Sequence, residues 1–167
     1  MGSSRQACVF GMKSEVRPPN PEYLRFLAAY DKRVVELALA TRQLVLEEAT
    51  EAIELLYDAY SAVSAGYSFT GKPSESFVYV AAYSKRVNLG LWWGALMKDP
   101  HGLLQGTGNQ SRHLPIDELA DLEKAYVRGF VKAAVKMAER PQPGKPLKIA
   151  PGSSIVRAVY ARKRRPV

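Results

Sequence analysis

The stretch SFVYVAAYSKRVNLGLWWG, residues 76–94, decides how this chain folds. Its first half, SFVYVAAY, carries β-branched and aromatic side chains on both faces, as a strand covered on both sides does. Ser84-Lys85 makes a short connection. From Val87 onward the pattern alternates: Val87, Leu89, Leu91 and Trp93 fall on one face, Asn88, Gly90, Trp92 and Gly94 on the other. Two such runs around a tight turn predict an antiparallel hairpin. Alternation also sends one of the two tryptophans into the core.

Upstream of the hairpin the period changes from two to nearly four. Pro21 opens a short helix, PEYLRFLAAY, at a position where a missing N–H does no harm. Asp31 caps the next one, in which Val34, Val35, Ala38, Val45 and Ala49 share a side. Where that helix stops is open. If it runs past Thr50, then Glu47, Glu51, Glu54 and Asp58 form one acidic stripe; LLYDAYSAV reads equally as strand. Residues 61–76 are punctuated by Gly66, Gly71 and Pro73 into short extended pieces.

Downstream, residues 99–116 read DPHGLLQGTGNQSRHLPI. The final RHLPI contains Pro115 and suits an edge strand. Asp117 is the expected cap of a last helix, where Leu119, Leu122, Tyr126, Phe130, Ala133 and Met137 make an apolar stripe. RPQPGKPLKIAPGSS ends it and begins a linker. The expected fold class is α+β: a single domain with a mostly antiparallel sheet, and N-terminal and C-terminal helices packed on one face. The expected boundaries are a disordered leader at 1–20, the α+β domain at 21–139, and a basic flexible tail at 140–167.

Composition narrows the function. The chain has 167 residues, 24% of them charged, and a net charge of +8. The charge is uneven: residues 139–167 hold eight basic side chains against one acid, Glu139, so the tail carries +7 and the rest is nearly neutral. No apolar run reaches the roughly 18–20 residues of a membrane helix, and no membrane contact is expected. A single cysteine, Cys8, forms no internal disulfide and no zinc site alone, and a reducing cytoplasm is the expected compartment. No catalytic set is visible: no Gly-x-Ser-x-Gly elbow, no Cys-His arrangement and no paired histidine ligands. A non-enzymatic role is the expectation.

The residues VNLGLWWGALMKDPHGLLQGTGNQSRHLPI resemble the central signature of the YdhG-like proteins, domain-of-unknown-function family 1801. The matching positions are Trp93-Gly94, Leu103-Leu104-Gln105-Gly106-Thr107-Gly108 and Arg112-His113; His101, between Pro100 and Gly102, departs from the usual Pro-Gly. The resemblance covers roughly residues 23–138. It implies a small α+β fold similar to the frataxins, with helices against an antiparallel sheet. It implies no assigned activity, although one branch looks like an iron-binding, frataxin-like protein.

Three functional readings follow. The glycine-rich loop 99–113 suits a small anion or a protein partner, held by amides of Gly106, Thr107 and Gly108 with Lys85, Trp92, Arg112 and His113 lining the site. Against this stands an ordinary connection whose polar groups tie down its own backbone. The acidic stripe Glu47, Glu51, Glu54 and Asp58 suits iron as a cofactor or cargo, or is simply a solvated helix face. The basic residues at 157–165, with the line Lys124, Arg128, Lys132 and Lys136, suit non-specific nucleic-acid contact.

Overall fold

The computed structural model describes residues 15–167. Cys8 and positions 1–14 of the expected leader lie outside the described residues. The hairpin forms as its sequence requires: β3 (Val78–Ala82) and β4 (Val87–Leu91) pair antiparallel, with Val80 opposite Leu89. Around it lie β1 (Ile53–Asp58), β2 (Val63–Ser68), β5 (Arg112–Ile116) and β6 (Ser154–Val159). The sheet order is β5-β4-β3-β2-β1-β6, antiparallel except for the parallel β1–β6 pair. The helices are α1 (Pro21–Leu27), α2 (Lys32–Glu48) and α3 (Ala125–Met137). This is an α+β architecture with a mixed sheet.

One cross-strand row explains the core. Leu56, Ala65, Val80, Leu89 and Leu114 stand in register across five strands. They join Leu37, Ala38, Val45, Val127, Val131 and Ala134 of the helices in one buried cluster. Each large apolar side chain buried there contributes about 1.5–3 kcal/mol. All three helices therefore pack on one face of the sheet. Tyr30, just after α1, donates from its hydroxyl to the Ala82 carbonyl at 3.0 Å and ties that layer to β3.

One open boundary is settled and three expectations are corrected. First, α2 ends at Glu48, the chain turns through residues 49–52, and Ile53 enters β1. Ile53 and Leu55 face one side of β1 and Leu56 the other, and all three are fully buried, which a strand covered on both faces achieves and an amphipathic helix does not. Second, β4 stops at Leu91. Trp92 donates its amide to the Phe77 carbonyl at 3.0 Å, and the chain then turns through a 3-10 segment, Gly94–Leu96. Trp92 is half-buried and Trp93 is 39% exposed, so neither ring fills the core. Alternation assigns faces only while the strand lasts.

Third, Asp117 does not cap the last helix. A 3-10 segment, Leu119–Glu123, intervenes, and the Asp121 carboxylate accepts the amides of Asp117 and Glu118 at 2.9 and 3.0 Å. Fourth, residues 153–165 are built into the domain. β6 lies parallel to β1, and Glu54 donates its amide to the Ser153 carbonyl at 2.8 Å. The described end of the leader is also tied down. Arg17 donates to the Thr50 and Ala52 carbonyls, and the Asn20 side chain donates to Ser154.

Candidate anion site

The glycine-rich loop turns several of its hydrogen-bonding groups inward. Asp99 accepts the amides of Leu103 and Leu104, each at 2.9 Å. Gln105 and His113 exchange backbone hydrogen bonds at 2.9 Å in both directions, and Ala95 donates to the Gln110 carbonyl at 2.9 Å. Arg112 donates from one guanidinium nitrogen to the carbonyls of Gly108 and Ser111. Gly102 and Gly106 take positive φ values of 60° and 122°; Gly108 does not. The loop is thus a hydrogen-bonded connection with Arg112 bound to its carbonyls, as a structured turn requires.

The proposed lining residues of that loop do not converge. Arg112 pairs with Leu91 and His113 with Gly90, so both stand near Trp92 at one end of β4. Lys85 lies in the turn before Val87, at the other end, roughly 20 Å away along the strand. The His113 imidazole is held below its ordinary pKa by burial, with Arg86 adding to the effect.

The acidic stripe is dispersed. Glu47 is on α2, where Arg128 of α3 bridges it at 2.7 Å and Glu48 at 2.6 Å. Glu51 is exposed in the turn after α2. Glu54 and Asp58 alternate with Leu55 and Tyr57 on β1 and face the helices. Glu54 is fully buried and accepts from Arg42 at 2.8 Å, Tyr67 at 3.0 Å and Ser154 at 2.8 Å. Among the described residues no three His, Cys, Asp or Glu side chains gather as a metal site would need. The line on the last helix is partly engaged as well: Arg128 by Glu47 and Glu48, Lys124 by Asp121 at 2.7 Å.

Asp58 organises the C-terminal arm. It accepts from Lys163 at 2.6 Å and from Arg165 at 2.6 Å, and is 2% exposed. Burial works against its ionisation, but the hydrogen bonds and charges of Arg165 and Lys163 outweigh burial and hold the carboxyl below its ordinary pKa. Tyr160 donates its amide to the Asp58 carbonyl at 2.8 Å, and Arg164 donates its amide to Tyr60 at 2.6 Å. The arm therefore folds back over the β1–β2 turn, which closes through Ala59 and Ala62.

This return brings the arm to the hairpin turn of residues 83–86. Between them lies a cleft of about 420 Å3, with Ser61, Tyr83, Ser84, Lys85, Arg86 and Arg164 in its wall and Arg165 behind. Arg86 lies over the Tyr83 ring, its guanidinium carbon 4.8 Å from the ring centre, which fixes its direction. Arg33 of α2 donates to the Lys85 carbonyl at 3.2 Å and to the Asp117 carbonyl, and so braces the turn. Among the described residues no carboxylate lines the cleft, and Asp58 is turned to Lys163 and Arg165. Three cations and two hydroxyls around an open volume are a donor set for an oxyanion.

Of the sequence-derived candidate residues, Lys85 lies here, together with Arg164 and Arg165 of the basic run 157–165. Arg86, Ser61, Tyr83 and Ser84 had no motif to mark them. The basic pairs were visible at 85–86 and 162–165, but nothing in the sequence says that segments so far apart meet. Comparison of the chain with protein-family models, curated proteins and solved structures returns no match.

Proposed function

We propose that this protein is a binding module for a phosphate-type anion, held in the cleft between the hairpin turn and the C-terminal arm. One observation carries the reading: Lys85, Arg86 and Arg164 line one cleft with Ser61 and Ser84, and among the described residues no carboxylate stands in its wall. A phosphate offers several oxygen acceptors to such donors, and Arg86 presents a fork already oriented by Tyr83. The resemblance to the YdhG-like proteins has no assigned activity, so the reading rests on the cleft rather than on the family. Its setting is the cytoplasm, as the lone cysteine suggests.

The test is calorimetry with pyrophosphate on the wild type and on the double variant Lys85→Ala/Arg164→Ala. Both side chains are exposed, so the variant keeps the fold. Binding is expected in the wild type and a loss of at least tenfold in the variant. Equal binding by the two proteins rules the cleft out. The carboxylates proposed for iron are separated between α2, a turn and β1, and three of the four have cationic partners or a buried network, so no observation favours that reading.

A further inference from the structure

The sheet has a second face, opposite the helices, and its chemistry differs from the first. In register across it stand Tyr57, Ser64, Ala81 and Asn88, then Leu55, Gly66, Tyr79, Gly90 and His113; Leu55 is fully buried, so the face is covered at the middle of β1 and opens toward β3–β5. Tyr83 and Arg86 continue the same alternation into the hairpin turn. Tyr57, Tyr79, Tyr83 and His113 are all half-buried, with part of each ring open to solvent. Every acidic residue on the strands, Glu54 and Asp58, points the other way into ion pairs. Among the described strand positions, this outer face holds no carboxylate.

Tyr79 is laid flat by design of its neighbours. It sits between Gly66 and Gly90 in the ladder. A Cβ on Gly90 would fall 1.9 Å from the ring's Cζ, so the ring covers Gly90 and leans toward His113. Its hydroxyl reaches Ser111 Oγ at 3.3 Å. Tyr57 stands two strands away, about 10 Å across the sheet, and the Arg157 charge acts on its hydroxyl. Arg86 lies on the same face, between this aromatic ground and the basic cleft.

We infer that the outer sheet face binds single-stranded nucleic acid, its bases stacking on Tyr79 and beside His113 while the backbone runs to Arg86 and the cleft. The inference rests on the cleft being an anion site and adds the class of ligand. Charge complementarity selects the occupant. A face with aromatic rings, flanking arginines and no carboxylate at its described strand positions suits a polyanion with exposed π-surfaces, and splayed bases meet those needs. A duplex hides its base faces and admits a protruding helix or ribbon rather than a sheet surface.

The experiment uses fluorescence polarisation with labelled dT15 and competition by inorganic polyphosphate of matched charge, on the full chain. Wild type is expected to bind dT15 at least tenfold more tightly than polyphosphate. Tyr79→Leu keeps apolar cover on Gly90 and removes the aromatic plane; it is expected to weaken dT15 about tenfold and leave polyphosphate unchanged. Tyr79→Phe is expected to bind as wild type. Lys85→Ala/Arg164→Ala is expected to weaken both ligands. If wild type binds dT15 and polyphosphate alike, or prefers duplex, the inference is overturned while the cleft survives. If neither polyanion responds to Lys85→Ala/Arg164→Ala, the cleft itself fails. Photocrosslinking of wild type to a strand carrying 5-iododeoxyuridine needs no variant: adducts at Tyr79 or His113 support the face, and adducts confined elsewhere overturn it.

Discussion

At Glu54 three donors converge on a carboxylate with no exposed surface: the Arg42 guanidinium, the Tyr67 hydroxyl and the Ser154 hydroxyl. Arg42 also donates to the carbonyls of Arg17 and Pro18, so one side chain joins the leader's end, α2 and β1. Removing one member of a buried pair leaves the other charge uncompensated. Arg42→Met is expected to lower the unfolding free energy by about 3–5 kcal/mol, measured by urea denaturation, and Arg42→Met/Glu54→Leu to recover most of it. Gly90 is constrained differently. A methyl group there collides with the Tyr79 ring, and the ring is too large and too well seated to yield cheaply. Gly90→Ala is expected to cost about 1–3 kcal/mol and to weaken any ligand that depends on Tyr79; thermal unfolding and dT15 polarisation read the two effects separately.

β6 is the element whose loss is most informative. It covers the backbone edge of β1, and without it Leu55 and Leu56 lie on an unprotected edge strand. Deletion of residues 153–167 is expected to lower the melting temperature by about 10 °C or more and to promote aggregation; a truncated chain that melts like the full one contradicts this. The arm beyond β6 depends on Asp58. Because the Asp58 pKa is depressed by Arg165 and Lys163, the stability it lends is complete above the ordinary carboxylate pKa of about 4 and is lost as pH falls through the lower folded value. Amide exchange at Arg164 and Arg165 is therefore expected to accelerate in acid below about pH 4. Asp58→Asn should produce the same release at neutral pH, seen as faster tryptic cleavage after Lys163.

For the molecule as a whole, the +8 charge acts through its distribution. Buried or paired acids, Glu54, Asp58, Glu47 and Glu48, cancel cations on the helix side. The cleft and the outer face keep theirs available. Three phosphate contacts at Lys85, Arg86 and Arg164 imply a slope of about −2 for log affinity against log salt. Raising salt from about 50 to about 200 mM is then expected to weaken dT15 binding roughly twentyfold. A flat salt response would show that the three cations do not contact the ligand.

The sequence by itself determined the hairpin of residues 76–91, the short α1, the start of α2, the edge position of β5 and the α+β class. Each of these rests on a local period or on one residue such as Pro21 or Pro115. It also offered Lys85 and the basic run 157–165, whose Arg164 the cleft retains. Only the tertiary structure decided the end of α2, the fate of Glu54 and Asp58, and the incorporation of β6. Local pattern is ambiguous where a strand is buried on both faces, and a charged carboxylate reads as solvated until its partner is known. Ser154 lies a hundred positions from Glu54 in the chain, and Arg165 still farther from Asp58. Pairings at that range leave no periodic trace, because what selects them is burial, and burial is a property of the folded whole.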